Sequence, residues 1–423
     1  MRAMTTEMIL SSRADAETLA ALYRDLHANP ELSFAEVRTA DVVARSMTAL
    51  GYDVTTQVGG TGVVGLLRRG EGPTVLLRAD MDGLPVLEKT GLDYASTARG
   101  TDPDGADMPV MHACGHDVHV TCLLGAAAEL ASDTTWAGTL MLVAQPAEEL
   151  GTGARAMVAD GLYERFGTPQ VVLGQHVGPL PAGMIGLHPG AAFATSDSIR
   201  VTLFGAGGHG SRPEACVDPI VMAAAVVLRL QTIVSRQVGG LETAVVTVGT
   251  LHAGTKVNII PDDAELQVNV RTYDTGVRER VLAAIERIVR AEAIAARAPR
   301  EPAVELMDSF PFLYNDLEGS ARTAAALRAV VGEAGVIDPG PVTGSEDVGV
   351  FALAAGAPCV YWILGGADPA PFAGASGPAE LAAVMGGIPS NHSPYYAPVM
   401  QPTLGIGVAA LVAAAKEWLA PDA

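Results

Sequence analysis

TVLLRADMDGLP, residues 74–85, is an apolar run that ends in acids. From 74 to 79 it is near-continuously hydrophobic, the pattern of a strand covered on both faces. Asp80-Met81-Asp82-Gly83-Leu84-Pro85 follows at once. A strand that terminates in acids is a typical place for a site in an open α/β sheet. The flanking sequence supports such a sheet. Residues 14–27 read as an amphipathic helix with Leu19, Leu22 and Leu26 on one stripe, ended by Asn29-Pro30. A second helix is expected over 36–50, stopping at Gly51. Strands are expected at 62–67 and 138–144, with a helix over 119–130 between them. Strands alternating with helices point to an α/β layered domain.

The middle of the chain has another rhythm. Strand 198–204, helix 218–236, strands 242–251 and 264–272, helix 277–296 and strand 301–307 give the order β-α-β-β-α-β. That is the ferredoxin-like split βαβ pattern. Afterwards α/β character resumes, with a helix near 321–332 and a strand at 358–364. A small domain at 188–307 is therefore expected as an insertion into a larger one made of 1–187 and 308–423. The Gly/Ala-rich stretch 365–387 reads as loop.

Composition narrows the function. A chain of 423 residues is too long for one compact core. Its net charge is −20 and no Lys/Arg run stands out, which argues against nucleic acid or an anionic membrane as partner. Residues 1–12 lack a basic segment followed by a long apolar core, so no signal peptide is expected. No run reaches about eighteen uninterrupted apolar residues; Arg229 and Lys416 break the best candidates. Cys114, Cys122, Cys216 and Cys359 form no paired framework, which fits a reducing cytoplasm.

Chemistry concentrates in MHACGHDVH, residues 111–119, with one Cys, three His and one Asp. A thiolate and imidazoles this close, with Gly115 free to aim them, are what a transition-metal site needs. Gln145-Pro146-Ala147-Glu148-Glu149 follows a buried strand. Adjacent side chains there point in different directions, so one carboxylate can bind metal while its neighbour faces the substrate. His176 also follows a strand, and Asn391-His392-Ser393-Pro394 adds a further imidazole. By contrast, Gly205-Ala206-Gly207-Gly208-His209-Gly210 fits a dinucleotide fingerprint only by chance. Pro213 and Pro219 delay the helix that such a motif requires at once. His27, His112, His119, His188 and His252 are read as structural or supporting.

Arg78–Pro85, His112–Asp117, Gln145–Glu149, Gly344-Ser345-Glu346-Asp347 and His392-Ser393-Pro394, in this order, resemble the amidohydrolase branch of the aminoacylase/carboxypeptidase-like dinuclear metallopeptidases. Hippurate hydrolases, indole-acetyl-amino-acid hydrolases and N-acyl-amino-acid amidohydrolases are members. The likeness runs from Leu26 onward. It implies a zinc-exopeptidase-like α/β/α catalytic domain with an inserted lid and dimerisation domain, and hence a homodimer. It implies two divalent ions (zinc, manganese, cobalt or nickel) on Cys114, His116, Glu149, His176 and His392. Glu148 is then the general base toward a metal-activated water, and Asp82 orients a ligand. His209 reaches an active site from the lid, while Asn258 and Arg271 hold the substrate carboxylate. The expected substrate is an N-acyl amino acid or related amide. The alternatives are a dipeptidase or aminopeptidase on the same scaffold and a decayed metal-binding protein. Two departures from the family pattern bear on specificity: Glu214 stands where a His often follows the Pro, and 368–389 is longer than usual.

Overall fold

The computed structural model describes residues 8–12, 15–102, 105–375 and 377–419. The chain forms two compact units. The first runs to Gly190 and takes in Tyr314–Gly340 and the chain from Asp347 on; the second is Ala191–Leu313 with Pro341–Glu346.

The first unit is built on an eight-stranded sheet. Its strands lie in the order Asp53–Val58, Gly62–Arg69, Gly138–Gln145, Thr74–Asp80, Val171–Pro181, Cys359–Ala367, Ile185–Gly186 and Val336–Ile337. The strands from Gly138–Gln145 to Cys359–Ala367 run parallel. Thr74–Asp80 is their centre, and from Val75 to Asp80 every residue is buried. Helices His116–Ser132, Ala16–His27 and Met400–Leu419 pack their apolar residues into the same core as the strands. The α/β reading of 74–85 is thus observed.

Element ends differ from expectation where local chemistry overrides periodicity. Ala14, the expected start of the first helix, lies outside the described residues, as do residues 1–7. The helix begins at Ala16, with Asp15 accepting from the Thr18 amide as its cap. The helix expected from His119 starts one turn earlier, at His116. The helix expected over 321–332 is Leu317–Val331, because Asp316 caps it by accepting from the Gly319 amide. The stretch 365–387 is not all loop: Pro378–Met385 is helical, built from good helix formers and ended at Gly386.

The second unit has a four-stranded antiparallel sheet in the order Ala244–Ala253, Asp263–Thr272, Ser196–Phe204, Ala303–Phe310. With helices Pro219–Gln237 and Thr275–Ala295 this is the β-α-β-β-α-β arrangement. Along Asp263–Thr272 the burial alternates, one face toward the helices. Met222, Val226, Leu230 and Ile233 of one helix meet Val281, Ile285 and Val289 of the other in a separate core. Pro219–Gln237 and Met400–Leu419 are long and apolar enough to cross a membrane by length and composition. Each instead supplies buried residues to its unit's core, Leu404, Leu411 and Ala414 among those of the second.

Candidate metal centre

Asp82 is the hub of the site. It is 1% exposed. Its Oδ1 accepts from the Glu148 amide and its Oδ2 from the Glu149 amide, both at 3.1 Å. Ser33 donates its hydroxyl to Oδ2 at 2.6 Å. His116 Nδ1 lies 3.3 Å from Oδ1. With Nδ1 turned to Asp82, His116 Nε2 faces the other acids: Asp80 at 3.5 Å, Glu148 at 3.8 Å and Glu149 at 3.9 Å.

Gly115 makes this placement possible. It precedes the helix His116–Ser132 in left-handed backbone, φ 89°. A Cβ there would lie 2.4 Å from Val177 Cγ1. Glycine alone fits both demands. Cys114 Sγ sits 3.5 Å from His176 Nε2. His176 Nδ1 donates to the Val177 carbonyl at 2.8 Å, which leaves Nε2 with its lone pair toward the thiol. His392 is held in left-handed backbone, φ 70°, with its amide on the Ala113 carbonyl. Asn391 braces it by donating to the carbonyls of Cys114 and Val177. The exposed His392 ring brings Nε2 to 3.4 Å from Glu149 Oε2.

The donor atoms fall into two overlapping triads. Cys114, His116 and His176 form one; Cys114, Glu149 and His392 form the other; in each, all ligand atoms lie within 4.8 Å of one another. The sulfur is common to both. Buried polar atoms without hydrogen bonds cluster here, His116 Nε2 and Glu149 Oε1 among them. Buried polar groups rarely stay unpaired without a reason, and an ion is one. The charge balance agrees. Burial works against a His116 imidazolium, yet Asp80, Asp82 and Glu149 outweigh it and lift the pKa to about 10. Burial, then Glu149, Glu148 and Asp80, pushes the Cys114 thiol well up. A pocket that draws a proton onto imidazole and resists a bare thiolate is short of positive charge. A divalent cation reverses both preferences. Soft sulfur and imidazole with carboxylate suit a borderline ion.

His119 is not a ligand candidate despite its place beside Asp80 and His116. Its Nδ1 donates to Asp80 Oδ1 at 2.5 Å and its Nε2 accepts the Val177 amide at 2.8 Å, so both nitrogens are used. Asp80 also accepts from buried Arg78 at 2.7 Å. Arg78 and Gln145 both reach Asp347, whose other oxygen takes the Ala154 amide. This floor was not assigned a role from sequence. Its signal was Arg78, a charge inside an otherwise apolar strand. Asn391 and Ser33 were missed as well, because a hydrogen bond to a distant loop leaves no local pattern.

His209, Asn258 and Arg271 lie in the second unit. His209 is exposed, and its Nδ1 accepts from the Ser211 hydroxyl at 2.8 Å. It pairs with Ile259, next to Asn258, whose carbonyl takes the Gly210 amide. Arg271 donates to the Thr343 carbonyl at 2.7 Å.

A family profile described as Peptidase family M20/M25/M40 matches residues 76–384. Hippurate hydrolase of Campylobacter jejuni is 40% identical, covering 77% of this chain and 82% of that protein. N-acetyl-L-cysteine deacetylase of Bacillus subtilis is 36% identical over 79% of this chain and 77% of that protein. Among solved structures, a dinuclear metal binding peptidase of Bacillus subtilis superposes with a TM-score of 0.73 at 26% identity, covering 95% of this chain and 97% of that one.

Proposed function

This chain belongs to peptidase family M20/M25/M40 and is a metal-dependent amidohydrolase, and from that premise we propose that it splits N-acyl amino acids at the acyl–nitrogen bond. The observation that carries the reading is the pair of triads sharing Cys114, with buried Glu148 beside them. Cys114, His116, Glu149, His176 and His392 are the residues that would hold two divalent ions. Zinc, manganese, cobalt and nickel all suit this donor set. Bound there, such ions would lower the pKa of water toward neutrality and polarise the amide carbonyl.

The remaining steps belong to the chain's own groups. Glu148 takes the proton of the attacking water and passes it to the leaving amine. Asp82 fixes His116 through Nδ1, and the Val177 carbonyl fixes His176, so both rings keep Nε2 aimed inward. His209 donates to the developing oxyanion. Asn258 and Arg271 take the substrate carboxylate, Arg271 as the charged partner. A homodimer through the second unit and a cytoplasmic location complete the proposal. The free state of the four cysteines supports the latter.

The test is a panel of hippurate, N-acetyl amino acids and dipeptides, assayed before and after chelation and re-addition of metal. Chelation-sensitive cleavage of the acyl compounds supports the proposal. Turnover confined to dipeptides would move the assignment to peptide hydrolysis, and full activity in metal-free protein would refute the metal role.

A further inference from the structure

Three successive amides of the turn that carries the two glutamates end on buried carboxylates. Glu148 and Glu149 use Asp82. The amide before them, of Ala147, donates to Glu36 Oε1 at 2.8 Å. Ala147 is fully buried and in left-handed backbone, φ 49°, a conformation that a Cβ disfavours. Such a residue persists only when its surroundings over-determine it. On one side the Gly153 amide holds the Ala147 carbonyl at 3.1 Å. On the other, Glu36 is the acceptor for its amide.

Glu36 is well placed for this. It is fully buried and caps the helix Val37–Ala49, its carbonyl accepting the Ala40 amide. Its second oxygen accepts the Thr61 hydroxyl at 2.5 Å. Helix start and hairpin turn therefore clamp the carboxyl between them. We infer that Glu36 is a positioning residue: it locks Ala147 in its left-handed conformation and so aims Glu148 and Glu149 into the metal centre. This rests on the roles given to those two glutamates above. A carboxyl is a costly choice at this point, since burial and the neighbouring Asp82 carboxylate push its pKa up to about 7. What the geometry uses is the acceptor oxygen. Glutamine supplies the same oxygen to Ala147, and its amide can donate to Thr61 Oγ.

The test compares Glu36→Ala, Glu36→Gln and Glu36→Ala/Ala147→Gly. Each is titrated with Zn²⁺ or Mn²⁺ after chelation and assayed on hippurate at saturating metal. Removing the acceptor orphans the Ala147 amide and frees the turn. Metal affinity and kcat of Glu36→Ala should each fall roughly 10–100-fold, the usual cost of losing a support behind a ligand, with KM little changed. Glu36→Gln should stay within a few-fold of the wild type. Glycine at 147 adopts positive φ freely, so the double variant should regain part of the loss. Glu36→Met fills the same volume without an acceptor and carries the test if Glu36→Ala does not fold. Wild-type metal affinity and kcat in Glu36→Ala would overturn the inference, as would a folded Glu36→Gln as impaired as Glu36→Ala. The two readings fail separately: full turnover by Glu148→Gln contradicts the base and leaves the metal-affinity effect of Glu36 to be read by itself.

Discussion

In the proposed mechanism the neighbours Glu148 and Glu149 have different tasks, and substitution separates them. Glu148→Gln keeps shape and removes the proton acceptor. Its kcat should drop by roughly two to four orders of magnitude while metal content stays near wild type. Glu149→Gln should lose metal instead, since Glu149 belongs to the triad with Cys114 and His392. Metal leaving with Glu148 rather than Glu149 would show the roles to be exchanged. A second effect at this scale is titration at His27. Burial disfavours its imidazolium, but hydrogen bonds to Asp117 and Glu88 dominate and raise its pKa to about 9. A folded-state pKa above the unfolded value of about 6.5 stabilises fully below pH 6.5 and is lost as pH climbs through 9. The stability gap between wild type and His27→Gln, measured by urea unfolding, should therefore shrink by at most about 3 kcal/mol from pH 6 to pH 9. A gap that widens with pH would contradict the assignment.

Among elements, the start of the helix His116–Ser132 lies at the heart of the candidate metal centre. Gly115→Ala puts a Cβ into left-handed backbone and against Val177. The conformation alone costs about 1–2 kcal/mol, and the clash displaces the strand bearing His176. A lower thermal midpoint with weaker metal binding is expected; unchanged binding would mean that the turn tolerates the shift. The same helix shows what periodicity conveys. Its apolar body was readable over 119–130, yet its first turn holds His116 and Asp117, polar residues that look like loop until their burial is known. The strand Thr74–Asp80 was legible because burial on both faces leaves a continuous apolar run. The candidate ligands stood out because Cys and His are rarely so dense. Glu36, Ser33 and Asn391 were not legible, since each acts through hydrogen bonds to residues dozens to hundreds of positions away.

Among the described residues the molecule has two apolar cores, one in each unit. In the second unit Val221 and Leu228 of Pro219–Gln237 are 66% and 73% exposed, and Ala244–Ala253 is an edge strand. An apolar helix face beside an open edge suits an isologous contact. Sedimentation should therefore give a dimer, and Leu228→Arg a monomer with its metal intact; a monomeric wild type would contradict this part alone. Both triads meet at the Cys114 sulfur, so metal analysis of Cys114→Ala beside the wild type is decisive. Wild-type protein should carry about two divalent ions per chain. Because Cys114 belongs to both triads, its loss should weaken both sites together and take hydrolysis of hippurate with them. A Cys114→Ala protein that keeps both ions and full activity would show that Cys114 holds neither ion.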